Sequence, residues 1–358
     1  SPPIMNRLLD AGLPAPRTLR SADDLVAAGL AVSSSELTGV TAAYATAITP
    51  SLADLIDRAD RADPIARQFV PSPAELDLRP EELPDPIGDH THEPVTGIIH
   101  RYPDRVLLKA VSVCPVYCRF CFRREMVGPD KDGSLSPSEL EAALAYIRQH
   151  PEIWEVIITG GDPFMLSARR AAALTRELEA VPHVKVIRWH TRMPVADPDR
   201  VSSEIVAVIS SRSKAVYVAV HCNHPRELTP ATLGACARLV DAGIPLLSQT
   251  VLLKGVNDDI ATLEQLMRAF VQARIKPYYL HHADLAPGTS HFRTTVEQGQ
   301  DLVRQLRDRI SGLAQPAYVI DIPGGVSKAL ASPADVETES GRVRLRGRDG
   351  VMRDYAGT

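Results

Sequence analysis

Residues 105–121 read Arg-Val-Leu-Leu-Lys-Ala-Val-Ser-Val-Cys-Pro-Val-Tyr-Cys-Arg-Phe-Cys, an apolar run of strand length followed closely by three cysteines. Cys114, Cys118 and Cys121 have the spacing C-x3-C-x2-C. Three thiolates on one short loop can hold three corners of a cubic iron–sulfur cluster, and the fourth iron is then open to a small molecule. A zinc site with a further ligand and redox-inactive thiols are the alternatives, although zinc sites more often use paired C-x2-C knuckles. We therefore predict an iron–sulfur cluster with an open site.

Strands and helices alternate along the chain that follows. Apolar runs of strand length occupy residues 105–112, 154–159, 184–190, 215–221, 245–252 and 277–281, with helical patterns between them. This alternation indicates parallel β-α units, and six units are fewer than the eight of a closed barrel. We predict an α/β fold, a partial (βα)6 TIM-type barrel, over residues 96–312.

The barrel is flanked by two further segments. Residues 1–95 form the predicted helical N-terminal extension and linker, with helices at 25–30, 36–47 and 51–61. Residues 77–94 are acidic and contain several prolines, which predicts an extended linker. Residues 313–358 form the predicted C-terminal segment.

The composition excludes several classes of protein. The chain has 358 residues and a net charge of −4, so no basic field for nucleic acid is evident. No stretch of about 18 uninterrupted apolar residues occurs, which predicts no membrane span, and the first residues lack a signal-peptide pattern. Five cysteines with three in one group make a poor disulfide framework. We predict a cytoplasmic protein with reduced thiols.

Polar residues follow the predicted strands at the end where barrel enzymes carry their chemistry. These residues comprise the cysteine loop, Gly160-Gly161-Asp162-Pro163, His190-Thr191-Arg192, His221, Gln249 and Asp284. The two glycines could form a tight strand-to-helix turn, or they could let the backbone touch a ligand's amino or carboxylate group. The sequence leaves both interpretations open.

A second glycine pair lies near the C-terminus. Residues 320–328 read Ile-Asp-Ile-Pro-Gly-Gly-Val-Ser-Lys. The loop could hold a phosphate, or Lys328 could form a Schiff base. An exposed lysine after a turn is the ordinary alternative for any single lysine.

Two further groups of charged residues have both a functional and an ordinary explanation. Arg101 and Arg105 flank Tyr102 and could clamp a phosphate, or they could face solvent. Asp284 and Asp321 could bind the cationic end of a substrate if both face the barrel mouth. Helix caps or surface charges are the alternative for these carboxylates.

Taken together, the motifs resemble the lysine 2,3-aminomutase family of radical S-adenosylmethionine (SAM) enzymes over roughly residues 85–330. Several independent motifs occur in the order typical of that family. These are His-Arg-Tyr-Pro-Asp-Arg-Val-Leu at 100–107, the cysteine loop ending Cys-Phe-Arg-Arg at 121–124, Gly160-Gly161-Asp162, Asn223-His224-Pro225, Val-Leu-Leu-Lys-Gly-Val-Asn-Asp at 251–258, and His291-Phe292-Arg293-Thr294.

The resemblance implies a metal cluster and a bound SAM. Cys114, Cys118 and Cys121 would hold a 4Fe–4S cluster, whose open iron would chelate the amino and carboxylate groups of SAM. The residues at family positions around that ligand are Gly160, Gly161, Asp162, His221 and Gln249.

The resemblance also implies a second cofactor and a cationic substrate. Lys328 would be the catalytic lysine that holds pyridoxal 5′-phosphate as a Schiff base. The residues at positions near this cofactor are Arg101, Tyr102 and Arg105. Arg123 would pair with the substrate carboxylate, and Asp284 and Asp321 would receive its ε-ammonium.

The implied activity is that of an L-lysine 2,3-aminomutase. A 5′-deoxyadenosyl radical would take a hydrogen from Cβ of lysine, and the nitrogen would move from Cα to Cβ to give β-lysine. An external one-electron reductant such as flavodoxin or ferredoxin and a homo-oligomer, a dimer or a tetramer, are expected partners.

Other functions stay open at this stage. The chain is shorter than the clostridial-type enzymes, its loop before Lys328 is less glycine-rich, and it lacks their additional cysteines. It could make β-lysine for modification of elongation factor P, although the loop carrying Asp321 favours free lysine, or it could act on arginine. A radical SAM enzyme without pyridoxal phosphate that modifies a macromolecule, and a non-catalytic binding protein, are the remaining hypotheses.

Overall fold

The computed structural model describes residues 16–356, and its main feature is a nine-stranded sheet that does not close on itself. The strands lie in the sheet in chain order. They are β1 Ile98–Tyr102, β2 Arg105–Val111, β3 Glu155–Gly160, β4 Val186–Thr191, β5 Ala215–His221, β6 Leu246–Leu252, β7 Ile275–His282, β8 Ala317–Asp321 and β9 Lys328–Leu330. The fold is therefore an α/β half-barrel.

Parallel pairing runs from β2 to β8, whereas β1 and β9 are antiparallel edge strands. The six predicted strands are β2 to β7, so the predicted partial barrel is confirmed. The structure adds β8 as a seventh parallel strand. The helix Val296–Arg309 separates β7 from β8, so the strand–helix alternation extends to β8, whereas no α-helix separates β8 from β9.

Eleven α-helices surround the sheet within residues 16–356. They are α1 Ala22–Ala27, α2 Thr38–Ala43, α3 Pro50–Leu55, α4 Pro64–Phe69, α5 Pro137–Gln149, α6 Ala168–Glu179, α7 Met193–Ala196, α8 Ser203–Ile209, α9 Pro230–Asp241, α10 Ile260–Gln272 and α11 Val296–Arg309. The start of α5 shows why the sequence folds locally as it does. Ser136 and Glu139 form a reciprocal capping box, and Pro137 occupies the first helical position. None of the helices in this part of the chain is long and apolar enough to cross a membrane.

Strand side chains alternate between the helical layer and an inner cavity. In β4, Ile187 and Trp189 have no exposed surface and belong to the main hydrophobic core. Arg188 and His190 of the same strand line the cavity. Because of this two-residue period, the hydrophobic core holds the outer face of the sheet while the inner face presents polar groups.

Two helices of the N-terminal extension are shorter than predicted, and the helix predicted at 25–30 lies at Ala22–Ala27. Helices expected at 36–47 and 51–61 are found as the six-residue α2 and α3, and α4 was not predicted. A helix of six residues spans fewer than two turns, so it shows little hydrophobic periodicity for sequence analysis to detect. Residues 1–15 of the predicted extension lie outside the described residues.

Buried ion pairs fasten the extension to the barrel. Glu75 has no exposed surface and accepts hydrogen bonds from Arg119, at 2.8 Å, and from Arg124. The segment at 77–94 contains no α-helix, but Asp89 within it is fully buried. Part of the predicted linker is therefore packed against the barrel, and the boundary at residue 95 stays a prediction.

The C-terminal segment contributes to two sheets. Its first part supplies β8 and β9, and the rest forms a separate antiparallel sheet of β10 Val336–Glu339, β11 Arg342–Arg346 and β12 Met352–Tyr355. Arg346 contacts Asp308 of α11 at 3.0 Å. Residues 357 and 358 of the predicted segment lie outside the described residues.

Candidate active site

One cavity of about 260 Å³ brings all the predicted site residues together. Its wall includes the three cysteines, the predicted SAM residues, the predicted pyridoxal phosphate residues and the predicted substrate residues. They are Cys114, Cys118, Cys121, Gly160, Gly161, Asp162, His221, Gln249, Arg101, Tyr102, Arg105, Arg123, Asp284, Asp321 and Lys328. Their shared location is a fact of the structure, whereas the individual roles stay predictions.

The cysteine loop follows β2 and is held from outside by the N-terminal extension. The backbone N–H of Tyr117 donates to the carbonyl of Ala47 at 3.2 Å, and that of Arg119 donates to Gln68 at 2.8 Å. These contacts fix the loop at both sides of Cys118, so that the cysteines face the cavity.

The three thiols are free, and each has a raised pKa. Burial raises the pKa of Cys114 well above its usual value, raises that of Cys118 to about 11 against the charge of Arg192, and raises that of Cys121. Free thiols here keep their protons at neutral pH, and binding of a metal would release them. Burial that disfavours a bare thiolate fits a cluster whose irons neutralise the sulfur charge.

The three cysteine side chains do not converge on one point in the described part of the chain. Residues 16–356 contain no group of three His, Cys, Asp or Glu side chains that could hold one metal ion. In a cubane each thiolate binds a different iron, so its three cysteines need not converge on one point. The donor set of three thiols on one cavity wall fits the cluster.

Gly160 and Gly161 are required by the close approach of two backbone segments. A Cβ on Gly160 would lie 2.0 Å from the carbonyl oxygen of Val111, and one on Gly161 would lie 2.2 Å from that of Val113. Gly160 also has a φ of 139°, which side chains disfavour. The structure thus supplies a packing reason for both glycines, and a ligand contact by their backbone stays a prediction.

Asp162 joins the ends of two strands. Its carboxylate accepts hydrogen bonds from the hydroxyl of Thr191 at 2.7 Å and from the backbone N–H groups of Arg192 at 2.8 Å and Phe164 at 3.0 Å. Burial raises its pKa despite these donors. Asp162 therefore positions the β4 end against the β3 end, and any contact with SAM would add to that role.

Two partly buried histidines face the cavity, and each has an unpaired ring nitrogen among the described residues. His190 and His221 end β4 and β5, and their ring centroids are 5.8 Å apart. The Nε2 atoms of both are buried and have no hydrogen-bond partner among the described residues. Burial lowers both pKa values far below 6.5, so both imidazoles are neutral at pH 7. Two orphaned polar atoms in one wall indicate that this cavity takes a ligand.

Sequence analysis gave His190 and Arg192 no role, although it noted their place at the end of a strand. Arg192 is buried, lines the cavity, and lies 3.5 Å from Glu227. Its positive charge lowers the pKa of Cys118 against the larger effect of burial. The only sequence signal for a role of His190 and Arg192 was their place at the carboxyl end of a strand, because such residues of a barrel face the active site.

Lys328 begins the edge strand β9, directly opposite Asp321 at the end of β8. Its Nζ lies 3.1 Å from Oδ1 of Asp321, and its backbone N–H donates to the hydroxyl of Tyr102 at 2.7 Å. Gly325 in the connecting turn has a φ of 83°, and a Cβ there would lie 2.1 Å from the carbonyl oxygen of Ile87. The turn thus directs Lys328 into the cavity rather than into solvent.

The predicted arginine clamp also faces the cavity. The guanidinium of Arg105 lies 3.7 Å from the centre of the Tyr102 ring, which is a cation–π contact. Arg101 is buried, and its Nε has no hydrogen-bond partner in the described part of the chain. An amine on one side and cationic side chains on the other fit an aldehyde cofactor that carries a phosphate.

Asp284 is a partly buried carboxyl that holds its proton at neutral pH. Burial, and next the negative charge of Asp321, raise its pKa to about 8, while the charges of Lys328 and Arg123 lower it less. A cation that arrived between the two carboxyls would favour the ionised form of Asp284. The pair is therefore arranged for a positively charged ligand.

The raised pKa of Asp284 predicts a pH-dependent stability. An unfolded aspartate titrates near 3.9, whereas Asp284 in the folded chain titrates at about 8. Between these values the folded state binds more protons, so the free energy of unfolding falls as the pH rises. We expect Asp284→Asn to remove this part of the slope, at most about 1.4 kcal/mol per pH unit, in urea unfolding between about pH 5 and 8.

A matched control separates this effect from general charge changes. Asp54 is an exposed aspartate on α3, and Asp54→Asn should leave the pH dependence unchanged. Equal slopes for the Asp284→Asn variant and the unmodified protein would contradict the raised pKa.

The chain is similar in sequence to enzymes of one family. A sequence profile described as the Radical SAM superfamily matches residues 109–267. The chain is 39% identical over 311 residues to the L-lysine 2,3-aminomutase of Clostridium subterminale, a match that covers 87% of this chain and 74% of that protein. The chain belongs to the amino acid 2,3-aminomutase family of radical SAM enzymes.

Two other relatives of this radical SAM enzyme are named for substrates that differ from each other, L-lysine and glutamate. The L-lysine 2,3-aminomutase of Escherichia coli is 33% identical over 294 residues, covering 82% of this chain and 84% of that protein. The glutamate 2,3-aminomutase of Clostridioides difficile is 36% identical over 287 residues, covering 80% and 67%. Family membership thus establishes a radical SAM aminomutase and leaves the amino acid to be argued from the site.

The family implies a 4Fe–4S cluster and SAM for this aminomutase. Cys114, Cys118 and Cys121 are the thiols that fit the cluster, by the donor set and burial described above. His221 and His190 have Nε2 atoms in the same wall that are buried and have no partner among the described residues. These are the residues of this enzyme that could contact SAM from the sheet side.

Proposed function

We propose that this aminomutase converts L-lysine to β-lysine and that it uses pyridoxal 5′-phosphate held by Lys328. The observation that supports lysine most directly is the carboxyl pair of Asp284 and Asp321 in the cavity that also contains Arg123. A lysine molecule carries a carboxylate at one end and an ammonium at the other, which matches a guanidinium and a carboxyl pair in one cavity.

The cofactors and the cavity residues would have separate roles in the reaction. When bound, the cluster and SAM would supply a radical that abstracts hydrogen, and pyridoxal phosphate would supply an aldehyde and a conjugated ring that stabilises a radical. Lys328 would anchor that cofactor through its amine, and Arg123 would hold the substrate carboxylate. The strand ends place these side chains around one cavity, which would hold the reacting groups at fixed distances.

Asp284 would also release a proton when the substrate binds. In the free site its carboxyl is protonated at neutral pH because its pKa is about 8. Arrival of the substrate ammonium would stabilise the carboxylate, so binding would release the Asp284 proton. A substrate with a carboxylate at that end would instead add a second negative charge beside Asp321 and would release no proton from Asp284.

Charge therefore decides between the candidate substrates. Glutamate would bring a second carboxylate, rather than a cation, to Asp284 and to the Asp321 that Lys328 pairs with at 3.1 Å, and the like charge would disfavour its binding. Arginine carries a cation and stays the alternative small-molecule substrate. Supply of β-lysine for modification of elongation factor P shares the same chemistry and is the alternative role for the product.

The remaining expectations rest on family resemblance. We propose an external one-electron reductant such as flavodoxin or ferredoxin, a cytoplasmic location, and assembly as a homo-oligomer, either a dimer or a tetramer. The amino acid substrate of the family is a small molecule, and we expect neither nucleic acid nor membrane as a partner.

A product assay tests the proposed substrate. After anaerobic reconstitution with iron, sulfide, SAM and pyridoxal phosphate, we expect β-lysine from lysine at a rate at least about a hundredfold above that of β-glutamate from glutamate. Asp284→Asn should lower the lysine rate without creating glutamate turnover, because Asp321 remains. Absorbance spectra must first show that both cofactors are bound. Faster turnover of arginine or glutamate than of lysine would reject the assignment.

A further inference from the structure

Asp89 is a fully buried carboxylate that none of the predicted roles includes. It lies in the segment predicted as a linker, outside the barrel strands. Asp85 fixes the backbone around Asp89. Its carboxylate accepts hydrogen bonds from the backbone N–H groups of Asp89 at 2.8 Å and His90 at 2.9 Å. The Asp89 side chain is thereby presented to the inner wall of the barrel.

On one side Asp89 fixes Arg123. The Nε of Arg123 donates to Oδ2 of Asp89 at 2.8 Å. The Nη1 of Arg123 makes only long contacts of 3.4 Å, with the hydroxyl of Thr159 and the carbonyl of Gly160. A guanidinium has five N–H donors in a planar fork. With Nε occupied by Asp89, the donors on the Nη atoms stay available for a carboxylate in the cavity.

On the other side Asp89 fixes Arg101. The Nη2 of Arg101 donates to Oδ1 of Asp89 at 3.3 Å and to the carbonyl of Ile87 at 2.9 Å. Arg101 lies on β1 and Arg123 follows the cysteine loop, so one carboxylate links two separate elements. Two guanidiniums and one carboxylate together carry a net positive charge, which an anionic ligand can neutralise.

We propose that Asp89 is a positioning residue that sets the guanidinium planes of Arg101 and Arg123, so that the cofactor phosphate and the substrate carboxylate bind in a fixed relation. This inference rests on the proposed function for the identity of those two anions. An ordinary alternative is that the Asp89 ion pairs only hold the linker on the barrel.

The isosteric variant Asp89→Asn separates the two explanations. An amide oxygen can still accept one hydrogen bond, but the amide NH2 then faces the second guanidinium. Pyridoxal phosphate is titrated into the anaerobically reconstituted protein with its cluster in place and followed by difference absorbance, and we expect its Kd to rise about tenfold or more. The loaded protein is then titrated with L-lysine and with 1,5-diaminopentane, which lacks the α-carboxylate.

The preference for lysine over 1,5-diaminopentane isolates the Arg123 contact, because both ligands present an ammonium to the carboxyl pair. We expect Asp89→Asn to reduce this preference about tenfold or more, toward the value of Arg123→Gln. Glu93→Gln is the matched control. It removes an ion pair with Lys109 of 3.0 Å from the same segment and should change neither titration.

A purely structural role has a different signature. It predicts a lower melting temperature for Asp89→Asn with the pyridoxal phosphate Kd and the lysine preference unchanged, and that result would overturn the proposal. Asp89→Glu keeps the charge on a longer stem and serves if the Asn variant does not fold, with the same two shifts expected. Failure of the unmodified enzyme to form β-lysine would reject the proposed function, whereas the cofactor titration does not depend on turnover.

Discussion

Replacement of Lys328 by alanine is expected to abolish covalent binding of pyridoxal phosphate and to lower aminomutase activity by at least about 10³-fold. The side chain amine is the group that would condense with the cofactor, and in the structure it lies in the cavity beside Asp321 at 3.1 Å. Borohydride reduction followed by peptide mass spectrometry measures the linkage, and product formation measures the activity.

Two variants control for the Lys328 ion pair. Lys328→Arg keeps a cation beside Asp321, but a guanidinium stays protonated and does not act as the amine nucleophile. It should lose the covalent linkage as completely as alanine does. Lys254→Ala removes an exposed lysine elsewhere and should keep the cofactor. A pyridoxyl label retained by the Lys328→Ala protein would show that another lysine holds the cofactor.

Replacement of Cys118 by alanine is expected to have the second large effect, loss of the iron–sulfur cluster and of SAM cleavage. A cluster held by only three thiolates has no spare ligand. Iron and sulfide content after anaerobic reconstitution should fall to background, and 5′-deoxyadenosine should not form. The same result is expected for Cys114→Ala and Cys121→Ala.

Cys236 supplies the matched control for these cysteine variants. It is a buried free thiol of α9 and belongs to the main hydrophobic core. Cys236→Ala should therefore keep full iron content and SAM cleavage, with at most a modest loss of stability. Full iron content together with SAM cleavage in the Cys118→Ala protein would contradict the assignment of the cysteine loop.

The sequence predicted those parts of the molecule that depend on local pattern. Alternating strands and helices were enough for β2 to β7, and the cysteine spacing was enough to place three ligands on the loop after β2. Lys328 needed the family resemblance, because a lysine after a glycine turn has no local pattern of its own. The structure then placed it in the cavity with the cysteines.

Asp89 could not be identified in the same way, and for His190 and Arg192 the sequence offered only their place at the end of a strand. The burial of Asp89 depends on Arg101 and Arg123, which lie 12 and 34 positions away in the chain. An acidic segment with several prolines predicts exposure when those partners are unknown. For His190, the orphaned Nε2 atom depends on what packs around the β4 end. Both properties are tertiary, so no local pattern could reveal them.

For Gly160 and Gly161, the sequence pattern suggested a functional role where the structure shows a packing role. Their spacing after a strand suggested a ligand contact, but the structure shows that the backbones of Val111 and Val113 already exclude a Cβ at both positions. A glycine pair beside an active site can therefore be needed for packing alone. Only a complex with SAM can add a second role.

The most direct test is an anaerobic crystal structure of the reconstituted enzyme with lysine and both cofactors, using anomalous scattering to place the iron. We expect iron bound to Cys114, Cys118 and Cys121, and pyridoxal phosphate in the same cavity beside Lys328 and Arg101. Pyridoxal phosphate on a different lysine, or a Lys328 side chain directed out of the cavity that the cluster borders, would contradict a single site for both cofactors.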